Sequence, residues 1–357
     1  MNQAGTAATD YAVVIPTLGR PSLAACLEAL AAADPPPERV VLVDDRPLHR
    51  CDALPVRIPA ALRDRTETVP GCAAGPAAAR NSGWRAAPET TWVVFLDDDV
   101  VPGPCWAADL AADLAAAGPR TAGVTARITV PLPPDRRPTD WERNTAGLTQ
   151  ARWITADMAY RRTALQAVGG FDERFPRAYR EDADLALRVI AAGWTLAPGR
   201  RRTTHPVRPA DRWISVRLQA GNADDVLMAR RHGRDWWSRA GARRGRLPGH
   251  LAVTAAGAAA LLCAAAGRHR PAGVCAALWL AGTAEFGWAR IAPGPRTRAE
   301  ITTMLLTSAA IPPVATGHWL RGLVRHRRVA PHRPPDAVRP APPTRSGRRP
   351  AHERALP

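Results

Sequence analysis

The clearest pattern in the chain is an unbroken apolar run, Trp92-Val93-Val94-Phe95-Leu96, that stops at three consecutive carboxylates, Asp97-Asp98-Asp99. Such a run, bounded by polar residues, predicts a strand buried on both faces of a parallel sheet. Comparable runs predict strands at 11–16 and 39–43, the second ending in Asp44-Asp45. Helical patterning predicts helices over 21–33, 76–87 and 104–117, the last stopped by Gly118-Pro119. A short helix at 163–168 closes on Gly169-Gly170. A longer one at 182–192 closes on Gly193, and a strand follows at 195–198. Alternating strands and helices predict an α/β fold with a mostly parallel sheet flanked by helices. Residues 131–152 carry Pro and charge without a period, so a loop is expected there.

Beyond about residue 240 the pattern changes. An uncharged stretch runs over 247–267, a second apolar segment over 271–288 is interrupted by Glu285, and a third over 301–320 contains Pro312-Pro313. The first has the length of a membrane span, which needs about 20 apolar residues. The expected organisation is a disordered N-terminus at 1–10, an α/β domain at 11–240, a helical membrane-associated region at 241–328 and a disordered Arg/Pro-rich tail at 329–357. A hairpin would keep the arginines at 243–246 and 290–298 on the cytoplasmic side, with the third segment in or under the interface. No signal peptide is expected, since Asp10 precedes the first apolar run.

Charge sharpens the division. The chain has no Lys, so all 49 basic residues are Arg. Residues 241–357 hold 18 Arg against 4 acidic residues, whereas 1–240 are nearly balanced at 31 against 28. The six cysteines form no CxxC pair, which points to buried thiols in a reducing compartment. The basic end is therefore expected at a membrane surface, and no nucleic-acid partner is expected.

Chemistry gathers at the predicted strand ends, where open α/β sheets bind ligands. Three adjacent carboxylates repel one another unless a cation or donors neutralise them, which suits a hard divalent metal holding a phosphorylated ligand. The segment Pro16-Thr17-Leu18-Gly19-Arg20 lacks GxGxxG and so is not a dinucleotide fingerprint. Asp44-Asp45 can accept hydrogen bonds from a ribose or base, and Arg80 can reach a diphosphate. Asp182 opens a helix whose dipole keeps a carboxylate ionised, as a general base requires, although an ordinary helix cap has the same residue.

In order, the motifs VVIPTLGRP, VVLVDD, GPAAARNSGW, FLDDDV, GGFDERF and EDADLALRVIAAGW resemble glycosyltransferase family 2, the inverting enzymes of the GT-A fold; the likeness covers about residues 11–235. It implies a nucleotide-diphosphate-sugar donor bound by Pro16, Thr17, Arg20, Asp44, Asp45, Arg80, Asn81, Asp97 and Asp98. It implies Mn²⁺ or Mg²⁺ at Asp97, Asp99 and His205, an acceptor beside Trp153, Asp157 and Glu181, and Asp182 as base. Where many relatives have VDDGS, this chain has Val43-Asp44-Asp45-Arg46-Pro47, and where many have Asn it has Asp157. The expected activity is transfer to an envelope-glycan or lipid-linked acceptor at the cytoplasmic face of the cell membrane. Two rival readings compete with it. A sugar-nucleotide-forming nucleotidyltransferase would want a Lys-rich loop, which this chain cannot supply. A non-catalytic basic membrane or polyanion binder, with a degenerate nucleotide-sugar domain, leaves the carboxylates at the strand ends unexplained.

Overall fold

A computed structural model describes residues 10–47 and 52–333; the segments expected to be disordered, 1–10 and 329–357, lie almost wholly outside it. In chain order the elements are β1 (Tyr11–Thr17), α1 (Ser22–Ala31), β2 (Val40–Asp44), β3 (Thr66–Pro70), α2 (Pro76–Ala86), β4 (Trp92–Leu96), β5 (Val101–Pro102), α3 (Trp106–Ala115), β6 (Thr121–Thr129) and α4 (Asp140–Ala146). There follow β7 (Asp157–Arg161), α5 (Arg162–Val168), α6 (Glu181–Ala191), β8 (Thr195–Thr204), α7 (Ile214–Arg217), α8 (Gly221–His232), α9 (Trp236–Arg239), α10 (Leu247–Ala265), α11 (His269–Ile291) and α12 (Arg298–Arg325).

The strands form one sheet in the order β3-β2-β1-β4-β7-β6-β8-β5. The first four run parallel, β7 is antiparallel to both its neighbours, and β8 is parallel to β6. Period-two alternation feeds a core on each face. Val13, Ile15 and Leu42 join Leu23 and Leu27 of α1 on one side, while Ala12, Val14 and Val43 join Ala77 and Trp84 of α2 on the other. This is why the strands read as continuous apolar runs. Gly83 lets α2 lie close on the sheet, since a Cβ there would collide with Val14.

Two elements depart from expectation. The stretch 131–152 holds α4, whose start is a capping box: Thr139 Oγ1 accepts from the Glu142 backbone N–H at 3.3 Å, and Glu142 Oε2 accepts from the Thr139 N–H at 2.7 Å. The strand expected at 195–198 continues to Thr204 because Arg201 and Thr203 alternate inward while Arg200 and Arg202 face out. Arg201 is wholly buried against Asp157 and Asp113.

Among the described residues one helix, α10, is long and apolar enough to cross a membrane. Helix α11 packs beside it but carries Glu285 and Arg290. Helix α12 runs through Pro312-Pro313 without a break, held between α8 and α10, and Thr316 Oγ1 donates to the Pro312 carbonyl at 2.9 Å.

Candidate active site

A cleft of about 1340 Å³ opens at the carboxyl ends of β1, β2 and β4. Its walls bring together Pro16, Thr17, Arg20, Asp45, Arg80, Asp97, Asp98, Asp99, Trp153, Glu181, Asp182 and His205. Three residues expected there are elsewhere. Asp44 turns away to a fork with Arg46, whose Nη2 lies 2.6 Å from Oδ2, and that hydrogen bonding holds its carboxyl below the usual range. Asn81 clamps the turn after α5, donating to the Phe171 carbonyl at 2.9 Å and accepting from the Phe171 N–H at 2.9 Å. Asp157, expected beside the acceptor, does not line the cleft: it is wholly buried, accepting from Arg201 Nε (2.8 Å), Trp106 Nε1 (2.8 Å) and Thr203 Oγ1 (2.5 Å).

On the β1 side, Asp98 organises the loop. It accepts from Thr17 Oγ1 at 2.7 Å and pairs with Arg20 at 3.0 Å. On the β2 side, Asp45 takes the Gly75 N–H at 3.2 Å through Oδ2, while Oδ1 is buried without a partner. Burial raises its carboxyl above the ordinary range. An unsatisfied acceptor costs about 1–3 kcal/mol, and Oδ1 carries that cost packed beside Gly71.

Arg80 is buried and bridges the two sides of the cleft floor. One Nη lies 2.6 Å from Asp97 and the other 2.9 Å from Glu181. Burial, with the charge of Asp182 next, pushes Glu181 up to about 8 despite Arg80. Asp182 lies at the second position of α6, half-buried, its Oδ1 accepting from the Ala183 N–H at 2.7 Å. Burial raises its carboxyl too, working against the helix terminus that was expected to lower it. A raised carboxyl nearer neutrality is a stronger proton acceptor once ionised.

Asp99 is buried, and burial followed by the charge of Asp97 raises its carboxyl. His205 Nε2 faces it at 3.6 Å. His205 Nδ1 lies 3.2 Å from the Pro206 carbonyl, which leaves Nε2 turned toward the carboxylate. A carboxylate and an imidazole facing each other are donor types that a divalent cation accepts. The oxygen and imidazole donors present thus fit Mn²⁺ or Mg²⁺. Asp97 points to Arg80 instead, and among the described residues no cluster of three metal-ligating side chains is gathered.

Sequence reasoning missed a support for this centre. Arg208 Nε sits 2.9 Å from Asp99 Oδ2, and the Arg208 carbonyl accepts from Trp141 Nε1 at 2.6 Å. Beside Trp141, the Asp140 side chain pairs with Arg290 of α11 at 2.8 Å, and its N–H donates to Glu300 of α12 at 2.7 Å. Arg290 is buried and also reaches Ser215, Thr307 and Ser308. The Thr139-x-x-Glu142 spacing is the one local signal that could have found any of this.

Comparison with known proteins agrees with this layout. The fold is similar to the mannosyltransferase PcManGT from Pyrobaculum calidifontis in complex with GDP-Man and Mn²⁺, at 21% identity over 88% of each chain with a TM-score of 0.52. A looser likeness is to GalNAc-T7 with UDP, GalNAc and Mn²⁺, at 14% identity over 66% of this chain and 55% of that one, with a TM-score of 0.44. No curated protein matches the chain. Residues 12–169 match the family model for glycosyl transferase family 2. They hold the strand ends just described, so this part of the chain is a glycosyl transferase family 2 domain, in a fold similar to that of the mannosyltransferase.

Proposed function

We propose that the chain transfers a sugar, with inversion, from a nucleotide-diphosphate donor to an acceptor hydroxyl, with Asp182 as general base. The observation that carries this is the meeting of Asp182 with the Asp99–His205 pair and Asp45 on one cleft. Asp45, not Asp44, accepts from the nucleoside. Asp99 and His205 would hold Mn²⁺ or Mg²⁺, which when bound neutralises charge growing on the leaving diphosphate. The similar mannosyltransferase was solved with GDP-Man and Mn²⁺, which supports that donor class. Arg80 holds Asp97 and Glu181 in place so that the Asp182 carboxylate is presented to the acceptor hydroxyl. Asp182 takes that proton as the oxygen attacks the anomeric carbon from the face opposite the leaving group. Positioning and fixed charge supply most of the rate.

The apolar faces of α10 and α11 support a seat on the cytoplasmic face of a membrane. Leu261, Leu262, Leu278 and Trp288 are all strongly exposed, and Arg243, Arg244 and Arg246 sit at the base of α10.

Titration with UDP, GDP and dTDP, each with and without Mn²⁺, tests the donor site. One nucleotide should bind in a Mn²⁺-dependent way, and Asp99→Ala should abolish that dependence. Asp182→Asn should leave nucleotide affinity unchanged and lower turnover by about 10²–10⁴-fold. Near-normal turnover in Asp182→Asn would remove the base assignment.

A further inference from the structure

The arginines around the cleft fall into two groups. Arg20, Arg80, Arg180 and Arg208 each have a carboxylate within 3.0 Å: Asp98, Asp97, Asp225 and Asp99. Arg152, Arg243 and Arg244 line the same cleft and, among the described residues, form no ion pair. Their neighbours are neutral. Arg152 lies over Trp153, Arg244 over Trp237, and Arg243 donates to Gln150. The three are brought together by close packing of two segments, since a Cβ on Gly241 would collide with the Arg152 side chain. Beside them Trp153 lines the cleft with its indole N–H buried and unpartnered. Three exposed guanidiniums without a carboxylate partner on one cleft, beside a buried N–H that lacks an acceptor, suit an anion.

We propose that Arg152, Arg243 and Arg244, with the Trp153 N–H, form a subsite for a phosphate or diphosphate group carried by the acceptor. The inference rests on the glycosyltransferase reading and adds the acceptor's chemical class. The donor's own phosphates are served elsewhere, at the Asp99 end of the cleft. Two of the subsite's arginines, Arg243 and Arg244, stand in the segment that runs directly into α10. A phosphate there has two sources, a lipid phosphate whose tail follows the apolar helix or a soluble phosphorylated sugar. Both present the same oxygens to the three arginines.

The test uses the full chain in neutral detergent. Affinities are measured for farnesyl phosphate, farnesol and glucose 6-phosphate, in wild type and in the triple variant Arg152→Gln/Arg243→Gln/Arg244→Gln. Nucleotide affinity with Mn²⁺ is measured on the same samples. At least one phosphate probe should bind, with inorganic pyrophosphate competing, and the triple variant should weaken it tenfold or more while nucleotide affinity stays within twofold. Farnesyl phosphate alone binding assigns the lipid source, glucose 6-phosphate alone the soluble one, and both together a site that reads only the phosphate. Farnesol binding as tightly as farnesyl phosphate, a triple variant with unchanged affinity, or no phosphate probe binding to a nucleotide-competent sample each overturns the subsite alone. Should the triple variant fold poorly, Arg152→Gln and the pyrophosphate competition in wild type decide the matter. A wild-type sample that binds no nucleotide overturns the donor reading beneath it.

Discussion

The sheet and the α10–α11 pair are built from similar residues and treat them in opposite ways. Phe95 and Leu96 of β4 are fully buried, whereas Leu261 and Leu262 of α10 are 75% and 71% exposed. Residue type does not explain the difference; what lies opposite does. Helices cover both faces of β4, while nothing among the described residues covers the outer side of α10. Lone exposed leucines need no explanation, but several together on one helix pair call for a partner, and lipid is the one we propose.

The largest effect should come from the covered side. Phe95 meets Phe171 edge-on at 5.1 Å between ring centroids and Tyr160 at 6.4 Å. Phe95→Ala should cost about 3–5 kcal/mol, seen as a lower denaturant midpoint in detergent. A loss below about 1 kcal/mol would mean that the sheet is not the packed body described. The uncovered side should answer differently. Leu261→Asp with Leu262→Asp should leave the detergent midpoint within about 0.5 kcal/mol of wild type, as for surface substitutions. The same pair should lower partitioning into phosphatidylglycerol vesicles by more than tenfold, since each buried Leu is worth about 1.5–3 kcal/mol. Unchanged flotation would break the comparison, for then lipid does not cover that face.

A third effect concerns charge placed on the covered side. Glu181 is raised to about 8 by burial, so the folded state favours its protonated form. Its cost on ionising is absent below the ordinary Glu range and grows as pH rises toward 8. Thermal midpoints should therefore decline between pH 5 and 8, and Glu181→Gln should flatten that decline. A slope identical in the two proteins would show that Arg80 neutralises Glu181 fully.

What could be read in advance follows the same physics. Strands buried on both faces announce themselves, so β1, β2 and β4 and the carboxylates after them were legible, as was the family. The second half of β8 was not, because Arg200-Arg201-Arg202 looks like a solvated turn until Asp113 and Asp157 are brought from distant segments to meet Arg201. Asp44 and Asp45 are indistinguishable as a pair of letters. Neighbours at the end of a strand point opposite ways, and here Asp45 has the cleft. Helix α4 was legible in principle from its capping box, but its tie to Arg290 spans 150 residues and has no local trace.

That tie has a bearing on synthesis. A chain emerging from the ribosome completes the sheet and its carboxylates long before Arg290 and Glu300 exist. Until they arrive, Asp140 has only Arg143 of its own helix, at 3.4 Å, its N–H lacks an acceptor, and the helix bearing the Trp141 indole that steadies Arg208 lacks its tie to α11 and α12. The nascent protein would thus carry its strand-end carboxylates before Arg208 is steadied beside Asp99, and the last helices made would complete that end of the cleft where they are laid down.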